Sequence, residues 1–437
     1  MITSPWKFGV SELDVYVSDE HVGVLREDIA TGLIEFEYRP ATPPQLAVSL
    51  VMPPGEPPEE YRGYNGLPPP FEVSLPEGML LEAIRNRFGK HIDVDSDFSL
   101  LRLIGRHTLG RVTFGGPLER DKALDEEILE AARSDGAARR LATILRKSPQ
   151  LFGVAGVMPK MSVHPHGRTR PGTVIGHGSI VKFDTANFTG ACLVEYACLK
   201  ACATANLTVP SVELAPDLTS IIVERFDIDD TGGRLGFEDA CALSGIRRTG
   251  KYSGSIEHLF RMIGNFVHPV HQVTDRRALL TLIVLNDVLR NGDAHLKNFG
   301  LLYGEDLAQP RLAPVYDVLT TQTWIHGDTP ALPILASDPA AEQWLDSQGL
   351  KQLQGLAGLA DVDLTGLRDH CAQVARKSLS ETLDSCPLCP ERNALARALR
   401  IIEKAASGRT RGGVRRAKGR QRSGARRTDR DRDPGQS

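Results

Sequence analysis

The chain has 437 residues, of which 41% are apolar, and carries a formal net charge of −3. This length allows a large core and two or three domains, and the apolar fraction is typical of a soluble globular protein. Seven cysteines, an odd number scattered from Cys192 onward, argue against a disulfide framework. No segment approaches the ~20 apolar residues that span a bilayer, and the first residues lack the pattern of a secretory signal. We therefore expect a cytoplasmic protein that binds no membrane.

The first third of the chain has the pattern of a β-rich domain followed by helices. Residues 1–115 alternate short apolar runs with glycine and proline, and the proline-rich stretch at 52–70 predicts a long loop. The charged segment within residues 116–150 predicts connecting helices.

A loop of small residues that ends in a cation follows at residues 153–160. Its glycines would let backbone N–H groups approach a phosphate, and Lys160 would neutralise the charge. The loop lacks the G-x-x-x-x-G-K-[ST] sequence of a Walker A motif, so a plain turn is the alternative. The candidate nucleotide-binding residues of the loop are Ala155, Gly156, Val157, Met158, Pro159 and Lys160.

Lys182 stands in the apolar run 180–183, which predicts a buried strand. A buried lysine needs a partner, and a strand lysine that meets the phosphates of ATP is a feature of protein kinases. A lysine that reaches water from the end of its strand is the alternative. Residues 191–208 predict a helix, and Glu195 near its start is expected to form an ion pair with Lys182.

A second buried strand is predicted at residues 221–227. It ends in polar groups at the point where an adenine ring would need backbone hydrogen bonds. The candidate adenine contacts are Glu224, Arg225 and Phe226.

The segment from Asn291 to Asp317 carries the most informative spacing. Asp293 is followed five residues later by Asn298, and Asp317 ends a short apolar run. Protein kinases use this spacing to hold a hydroxyl nucleophile and ATP-bound magnesium. A carboxylate beside the incoming hydroxyl suits Asp293, and the oxygens of Asn298 and Asp317 are hard ligands that Mg²⁺ prefers. Taken alone, the spacing is equally compatible with a solvated loop after a helix.

The order of these parts favours phosphoryl transfer over unrelated turns. It runs from glycine loop to strand lysine, helix glutamate, hinge strand and acidic loop, as a two-lobed kinase requires. We therefore predict an α+β fold with a kinase-like two-lobed core after a β-rich N-terminal domain. The predicted boundaries are 1–115 for the N-terminal domain, 116–150 for connecting helices, 151–226 for the small lobe, 227–407 for the helical lobe and 408–437 for a tail.

The chain resembles the HipA-like toxin kinases of bacterial type II toxin–antitoxin modules. The resemblance extends over nearly the whole chain except about the last thirty residues. It rests on several motifs in one order, which together are far more specific than any single one. They lie at residues 22–25, 71–78, 104–112, 154–160, 180–182, 224–227, 251–255, 291–298 and 314–318.

The resemblance implies a serine/threonine protein kinase that binds ATP and Mg²⁺. Asp293 would be the catalytic base, Asn298 and Asp317 the metal ligands, and Lys182 a contact of the ATP phosphates. Residues 155–160 would form the phosphate loop, and Glu224, Arg225 and Phe226 would meet the adenine. His295 and Tyr316 would line the nucleotide site.

The family also implies partners. Its substrates are aminoacyl-tRNA synthetases, whose phosphorylation arrests growth, and its usual partner is a HipB-like helix-turn-helix antitoxin that binds operator DNA. Nothing in the sequence identifies the target protein. The alternative function is a nucleotide-binding pseudokinase that acts as a co-repressor with a DNA-binding antitoxin.

One position departs from the family pattern. Well-known members carry a serine before the Val-Ala-Gly stretch of the loop and phosphorylate it themselves, whereas this chain has Gly153 there. Glycine has no hydroxyl group, so autophosphorylation at this position is impossible. Ser148 is the nearest upstream hydroxyl and a candidate replacement.

Two remaining features concern the end of the chain. Cys386 and Cys389 have the spacing of zinc ligands, but no second pair lies nearby, so a turn at a helix boundary is the favoured interpretation.

Residues 408–437 contain eleven Lys or Arg and three Asp, a net charge of +8. This tail has no large apolar residues and is expected to be disordered. It is a candidate for nonspecific binding of nucleic acid, with a solvated tail of no consequence as the alternative.

Overall fold

A computed structural model describes residues 10–64, 66–117, 121–149, 158–163, 178–304, 307–338 and 343–406. The predicted tail at 408–437, and Gly153, Ala155, Gly156 and Val157 of the predicted phosphate loop, lie outside these residues. Within the described part, no helix is both long and apolar enough to cross a membrane.

The N-terminal part is an antiparallel sheet of five strands covered by two helices. Its strand order is β4-β3-β2-β1-β5. Alternate residues of β1, such as Val15 and Val17, are buried, as expected for a strand with one face against a core. The sequence indicated the strands but not the two helices. The elements are β1 (Val10–Val17), β2 (Glu20–Asp28), β3 (Leu33–Tyr38), β4 (Arg62–Tyr64), α1 (Gly78–Phe88), α2 (Asp97–Ile104) and β5 (Val112–Phe114).

The charged segment that follows forms two helices, α3 (Lys122–Ala132) and α4 (Ala137–Lys147). Asp121 begins α3 because its carboxylate accepts the backbone N–H of Leu124 at 3.1 Å. Apolar residues of both helices belong to the same core as the N-terminal sheet, and that core also includes Val181 of the next sheet. The connecting helices therefore join the two sheets through one hydrophobic interior.

A second antiparallel sheet forms the small lobe, with strand order β6-β7-β9-β8. The predicted strand around Lys182 is confirmed as β7, and the predicted helix is confirmed as α5, which ends at Thr204. Ten residues of α5 are buried, among them Cys192, Cys198 and Cys202. The elements are β6 (Lys160–Val163), β7 (Ser179–Phe183), α5 (Ala191–Thr204), β8 (Val212–Leu214) and β9 (Ser220–Glu224).

The rest of the described chain is mainly helical, and its core includes buried residues of α5. Helix α8 begins at Pro269 and ends where Arg290 adopts a left-handed conformation, φ 56°. Cys386 and Cys389 lie between α10 (Leu364–Ser385) and α11 (Pro390–Ala406), at a helix boundary as predicted. The elements are β10 (Gly236–Asp239), α6 (Ala240–Leu243), α7 (Ile256–Phe266), α8 (Pro269–Leu289), β11 (Gly300–Tyr303), β12 (Arg311–Leu312), α9 (Ser347–Ala357), α10 (Leu364–Ser385) and α11 (Pro390–Ala406).

Ion pairs join the N-terminal domain to the helical lobe. Arg247 contacts the buried carboxylate of Glu72 at 2.7 Å and Asp97 at 2.8 Å, and Arg248 contacts Asp97 at 2.6 Å. Lys251 pairs with Glu77 at 2.8 Å. These contacts fix the N-terminal domain beside the loop that precedes α7.

Candidate active site

A cavity of about 310 Å³ lies where the N-terminal domain, the small lobe and the helical lobe meet. The N-terminal domain contributes Val73, Glu77 and Leu109 to its wall. Most of the candidate residues line the same cavity, although they are spread over more than 150 positions of sequence. The candidates on the wall are Met158, Lys160, Lys182, Glu195, Glu224, Phe226, Asp293, His295, Asn298, Tyr316 and Asp317.

Two lysines enter the cavity from neighbouring strands. Lys160 of β6 lies directly opposite Lys182 of β7 in the antiparallel register, so both side chains point to one face of the sheet. Both side chains are buried. Because an isolated ammonium group is costly to bury, each requires a carboxylate partner.

Asp317 and Glu195 supply those partners. Lys160 Nζ lies 2.7 Å from Asp317 Oδ2, and Lys182 Nζ contacts both Asp317 Oδ1 and Glu195 Oε1. The predicted pair of Lys182 with Glu195 is thus present. Asp317 has a left-handed backbone, φ 54°. The cluster therefore brings two lysines and two acidic side chains together at one wall of the cavity.

The lysines control the protonation of this cluster. Burial alone would raise the pKa of Asp317, yet the ammonium groups of Lys160 and Lys182 lower that pKa well below its ordinary value. Burial lowers the pKa of Lys182, but Asp317 and Glu195 outweigh this effect and raise the pKa overall. Asp317 is therefore ionised and Lys182 protonated near neutral pH, the charges that a metal ligand and a phosphate contact require.

Asp293 lies on the loop that follows α8. Two hydrogen bonds tie the loop to its surroundings: Asn291 Nδ2 donates to Asn286 Oδ1 of α8 at 2.8 Å, and the N–H of Gly292 donates to Thr321 Oγ1 at 2.7 Å. The side chain of Asp293 is 39% exposed and faces the cavity. Burial raises the pKa of Asp293, and a hydrogen bond from Tyr252 partly opposes that effect. A raised pKa suits a group that must accept a proton.

His295 and Asn298 form one turn of the same loop. The side-chain oxygen of Asn298 accepts the N–H of His295 at 3.1 Å, which fixes both residues at the cavity wall. Burial, followed by the charge of Lys251, lowers the pKa of His295 to about 3, so its ring is neutral. The buried Nδ1 atom of His295 has no hydrogen-bond partner among the described residues.

An aromatic cluster forms the wall beside the predicted hinge. The ring of Phe226 lies 5.6 Å from that of Tyr316 and 5.4 Å from that of Phe237. The hydroxyl of Tyr316 donates to the carbonyl of Lys297 at 2.8 Å. Flat apolar rings at this wall can pack against a planar base.

Two predicted contacts do not reach the cavity. The guanidinium of Arg225 is fully buried between Asp227, at 2.6 and 2.9 Å, and Ser162, at 3.0 Å. The backbone N–H of Arg225 is also used, because it donates to Gly178 O at 2.8 Å. Pro159 is buried but does not line the cavity. Ser148 lies at the C-terminal end of α4 and is likewise absent from the wall.

Sequence reasoning missed several residues of the wall. Lys251 and Tyr252 belong to a motif that carried the family resemblance, but no role followed from it. Val73, Glu77 and Leu109 lie in the motifs at 71–78 and 104–112, but their place on the wall could not be predicted, because it depends on how the N-terminal domain docks. Trp324 also lines the cavity through a loop that no pattern singled out.

The oxygen atoms of Asn298 and Asp317 fit Mg²⁺ better than a softer metal. Two protein ligands are few, but Mg²⁺ usually completes its shell with water and substrate phosphates. No cluster of three or more His, Cys, Asp or Glu side chains suited to a metal occurs among the residues that the structure describes. Two oxygen donors of this kind would suit a metal that is shared with a phosphate ligand.

Comparison with known proteins identifies the family. The model of the HipA-like C-terminal domain matches residues 152–383, and that of the HipA N-terminal domain matches residues 13–115. The Sinorhizobium fredii protein named "Putative kinase Y4dM" is 30% identical over 352 residues, which cover 74% of this chain and 80% of that protein. A second protein of that organism, "Putative kinase Y4mE", is 28% identical over 217 residues, 47% of this chain and 51% of that protein.

A solved structure supports the fold. The Shewanella oneidensis MR-1 toxin–antitoxin complex of HipA, HipB and operator DNA contains a chain that aligns with a TM-score of 0.62. The alignment covers 90% of this chain and 97% of that chain at 17% identity. The predicted α+β, kinase-like fold is confirmed. With both domain models matched in order, this chain belongs to the HipA-like family.

Proposed function

We propose that this chain is an ATP-dependent serine/threonine protein kinase that acts as a toxin. The observation that carries the proposal is the convergence of Asp293, Asn298, Asp317 and Lys182 on one cavity. Phosphoryl transfer asks a protein mainly to position groups and to neutralise charge, and these four residues supply both. The kinase-like names of the relatives agree with this proposal.

ATP would bind with its base against the aromatic wall of Phe226 and Tyr316. Lys160 and Lys182 would meet the phosphates, since both ammonium groups already line the cavity and carry positive charge. The ammonium group of each lysine would then contact both Asp317 and the nucleotide phosphates. His295, being neutral and buried, would contact the nucleotide without adding charge.

Asp293 would act on the acceptor. Its carboxylate would hold the incoming hydroxyl, take its proton as the new bond to phosphorus forms, and leave ADP to depart. Asn298 and Asp317 would hold Mg²⁺, which neutralises phosphate charge when bound. Glu195 would keep Lys182 in place through their buried ion pair.

The target protein and the antitoxin are inferred from the family. We propose an aminoacyl-tRNA synthetase or another translation protein as the substrate, and a HipB-like antitoxin as the partner that links the kinase to operator DNA. The Shewanella oneidensis chain with the matching fold was solved together with HipB and operator DNA. The basic tail at 408–437 would add nonspecific contacts to nucleic acid.

Replacement of the proposed base tests the proposal. Asp293→Asn removes the proton acceptor and should lower ADP release by about 100-fold or more. Induction of the wild type should arrest growth, while induction of the Asp293→Asn variant should not. Asp361→Asn is the matched control, because Asp361 is an exposed partner of Arg277 that does not line the cavity.

Equal toxicity of the wild type and Asp293→Asn would exclude the kinase function. It would leave the co-repressor alternative, in which nucleotide binding and an antitoxin suffice. If only the wild type is toxic, comparison of phosphorylated proteins from cells that express the wild type or Asp317→Ala would identify the substrate.

A further inference from the structure

A tyrosine of the chain itself is hydrogen-bonded to the proposed base, Asp293. The hydroxyl of Tyr252 donates a hydrogen bond to Asp293 Oδ1 at 2.6 Å. Among the described residues, no other side chain donates a hydrogen bond to this carboxylate. The distance lies within the ~2.6–3.2 Å range at which a general base can act on a proton. Tyr252 also lines the same cavity as the proposed phosphate and metal contacts.

The position of Tyr252 is fixed from both sides. The preceding residue, Lys251, accepts the N–H of Leu296 at 3.1 Å and pairs through its side chain with Glu77 at 2.8 Å. The ring of Tyr252 meets the ring of His295 edge to face, with centroids 5.1 Å apart. These contacts involve the acidic loop and the N-terminal domain, so the structure directs the hydroxyl towards Asp293.

Tyr252 nevertheless has room to accept a group. The residue is 49% exposed, whereas nearly all other residues of the cavity wall are buried or only partly exposed. Lys251 Nζ lies 5.4 Å from the centre of the Tyr252 ring and could balance an added negative charge. Burial, together with the hydrogen bond to Asp293, raises the pKa of Tyr252, so the hydroxyl keeps its proton and needs a base to lose it.

We propose that Tyr252 is an internal phosphoacceptor, an inference that rests on the proposed kinase function. Its hydroxyl oxygen attacks the γ-phosphorus of ATP bound in the cavity, and the bond from that phosphorus to the β,γ-bridging oxygen breaks. The hydroxyl proton passes to Asp293, and ADP leaves. The product is phosphotyrosine next to a carboxylate. Because the two groups repel, modified Tyr252 turns towards solvent and Lys251.

Phosphorylation of Tyr252 would be an autophosphorylation at a position outside the phosphate loop. Gly153 offers no hydroxyl, and Ser162 is buried and accepts a hydrogen bond from Arg225. Tyr252 is instead accessible and already in contact with the base. The reaction is intramolecular, so its rate should not depend on protein concentration.

Mass spectrometry of the purified full chain with ATP and Mg²⁺ tests the inference. We expect phosphate on Tyr252, formed at the same fractional rate over a tenfold range of protein concentration. The signal should disappear in Tyr252→Phe and in Asp293→Asn. Tyr16→Phe is the matched control and should keep it, because Tyr16 lies in β1, stacks on His21 and does not line the cavity. Circular dichroism and thermal unfolding would establish that each variant is folded.

Parallel measurement of ADP release with casein as a generic acceptor distinguishes failure of the Tyr252 inference from failure of the kinase function. Phosphate on casein without phosphate on Tyr252 would overturn the inference and leave the kinase function intact. Faster phosphorylation of casein by Tyr252→Phe, again without modified Tyr252 in the wild type, would identify the tyrosine as a blocking group only. Phosphotyrosine that persists in Asp293→Asn would also overturn it. If no ADP is released and no phosphate is found on casein or on Tyr252, the kinase function itself would be rejected.

Discussion

Lys182 is the cation that compensates the acidic groups Asp317 and Glu195 in the site. Its ammonium group contacts Asp317 and Glu195 at once, and the side chain of Glu195 is only 1% exposed. The sequence predicted this pair, because a lysine in an apolar strand needs an acid and Glu195 lies on the next helix. It could not predict that Lys160 would share Asp317, since that depends on the register of β6 with β7. Arg225, which was predicted at the adenine, has its guanidinium against Asp227 and Ser162, because a strand pattern does not reveal which way an end residue turns.

Lys182→Met tests the structural role of the cation. The change leaves Glu195 buried without its partner, so we expect a loss of about 3–5 kcal/mol in the free energy of unfolding. Urea unfolding followed by circular dichroism would measure it. The double variant Lys182→Met/Glu195→Leu should regain much of the stability but not the binding of ATP, measured by calorimetry. Recovery of ATP binding in the double variant would contradict a phosphate contact at Lys182.

The loop between α8 and β11 is the element that brings Asp293, His295 and Asn298 to the cavity. It begins where Arg290 leaves the helix with φ 56°, and Gly292 follows at a point of close approach to another loop. A Cβ atom on Gly292 would lie 2.1 Å from Asp328 Oδ2. The sequence predicted the loop from the Asp–Asn spacing, but the crowding at Gly292 depends on a residue 36 positions further on.

Gly292→Ala should therefore disturb the loop more than the added methyl group would suggest. Asp328 must move, and it also holds Thr321, whose hydroxyl receives the N–H of Gly292. We expect ADP release to fall while the thermal midpoint changes little. Asp328→Gly in the same chain should restore activity by removing the obstructing carboxylate. Gly355→Ala is the control, because nothing lies within 4 Å of its added carbon in α9. Full activity in Gly292→Ala alone would contradict this account.

At the scale of the whole molecule, the N-terminal domain is part of the site. Glu77 precedes α1 and pairs with Lys251, the neighbour of Tyr252 and a residue of the cavity wall. No sequence pattern linked Glu77 to a position 174 residues away, because docking of two domains leaves little trace in local periodicity. The two-domain order could be read from the sequence, but the shared cavity could not.

Glu77→Gln should lower ADP release by roughly 10-fold to 100-fold, since Lys251 and the loop beside Asp293 lose a fixed contact. The unfolding midpoint should shift little, because only one ion pair is lost. Glu82→Gln is the matched control: Glu82 is exposed on α1 and does not line the cavity. Equal loss of activity in both variants would indicate a general effect on α1 instead.

The spread of the cavity wall along the chain bears on protein synthesis. The wall begins at Val73 and is not complete until Ile325. A ribosome must therefore translate the message as far as Ile325 before the last wall residue exists, and further before the helices around α5 can close. Polypeptides released early would carry separate pieces of the site and no complete cavity. A cell that makes this protein is thus exposed to the complete site only after Ile325 and those helices have been synthesised, and the proposed antitoxin would have that time in which to be present.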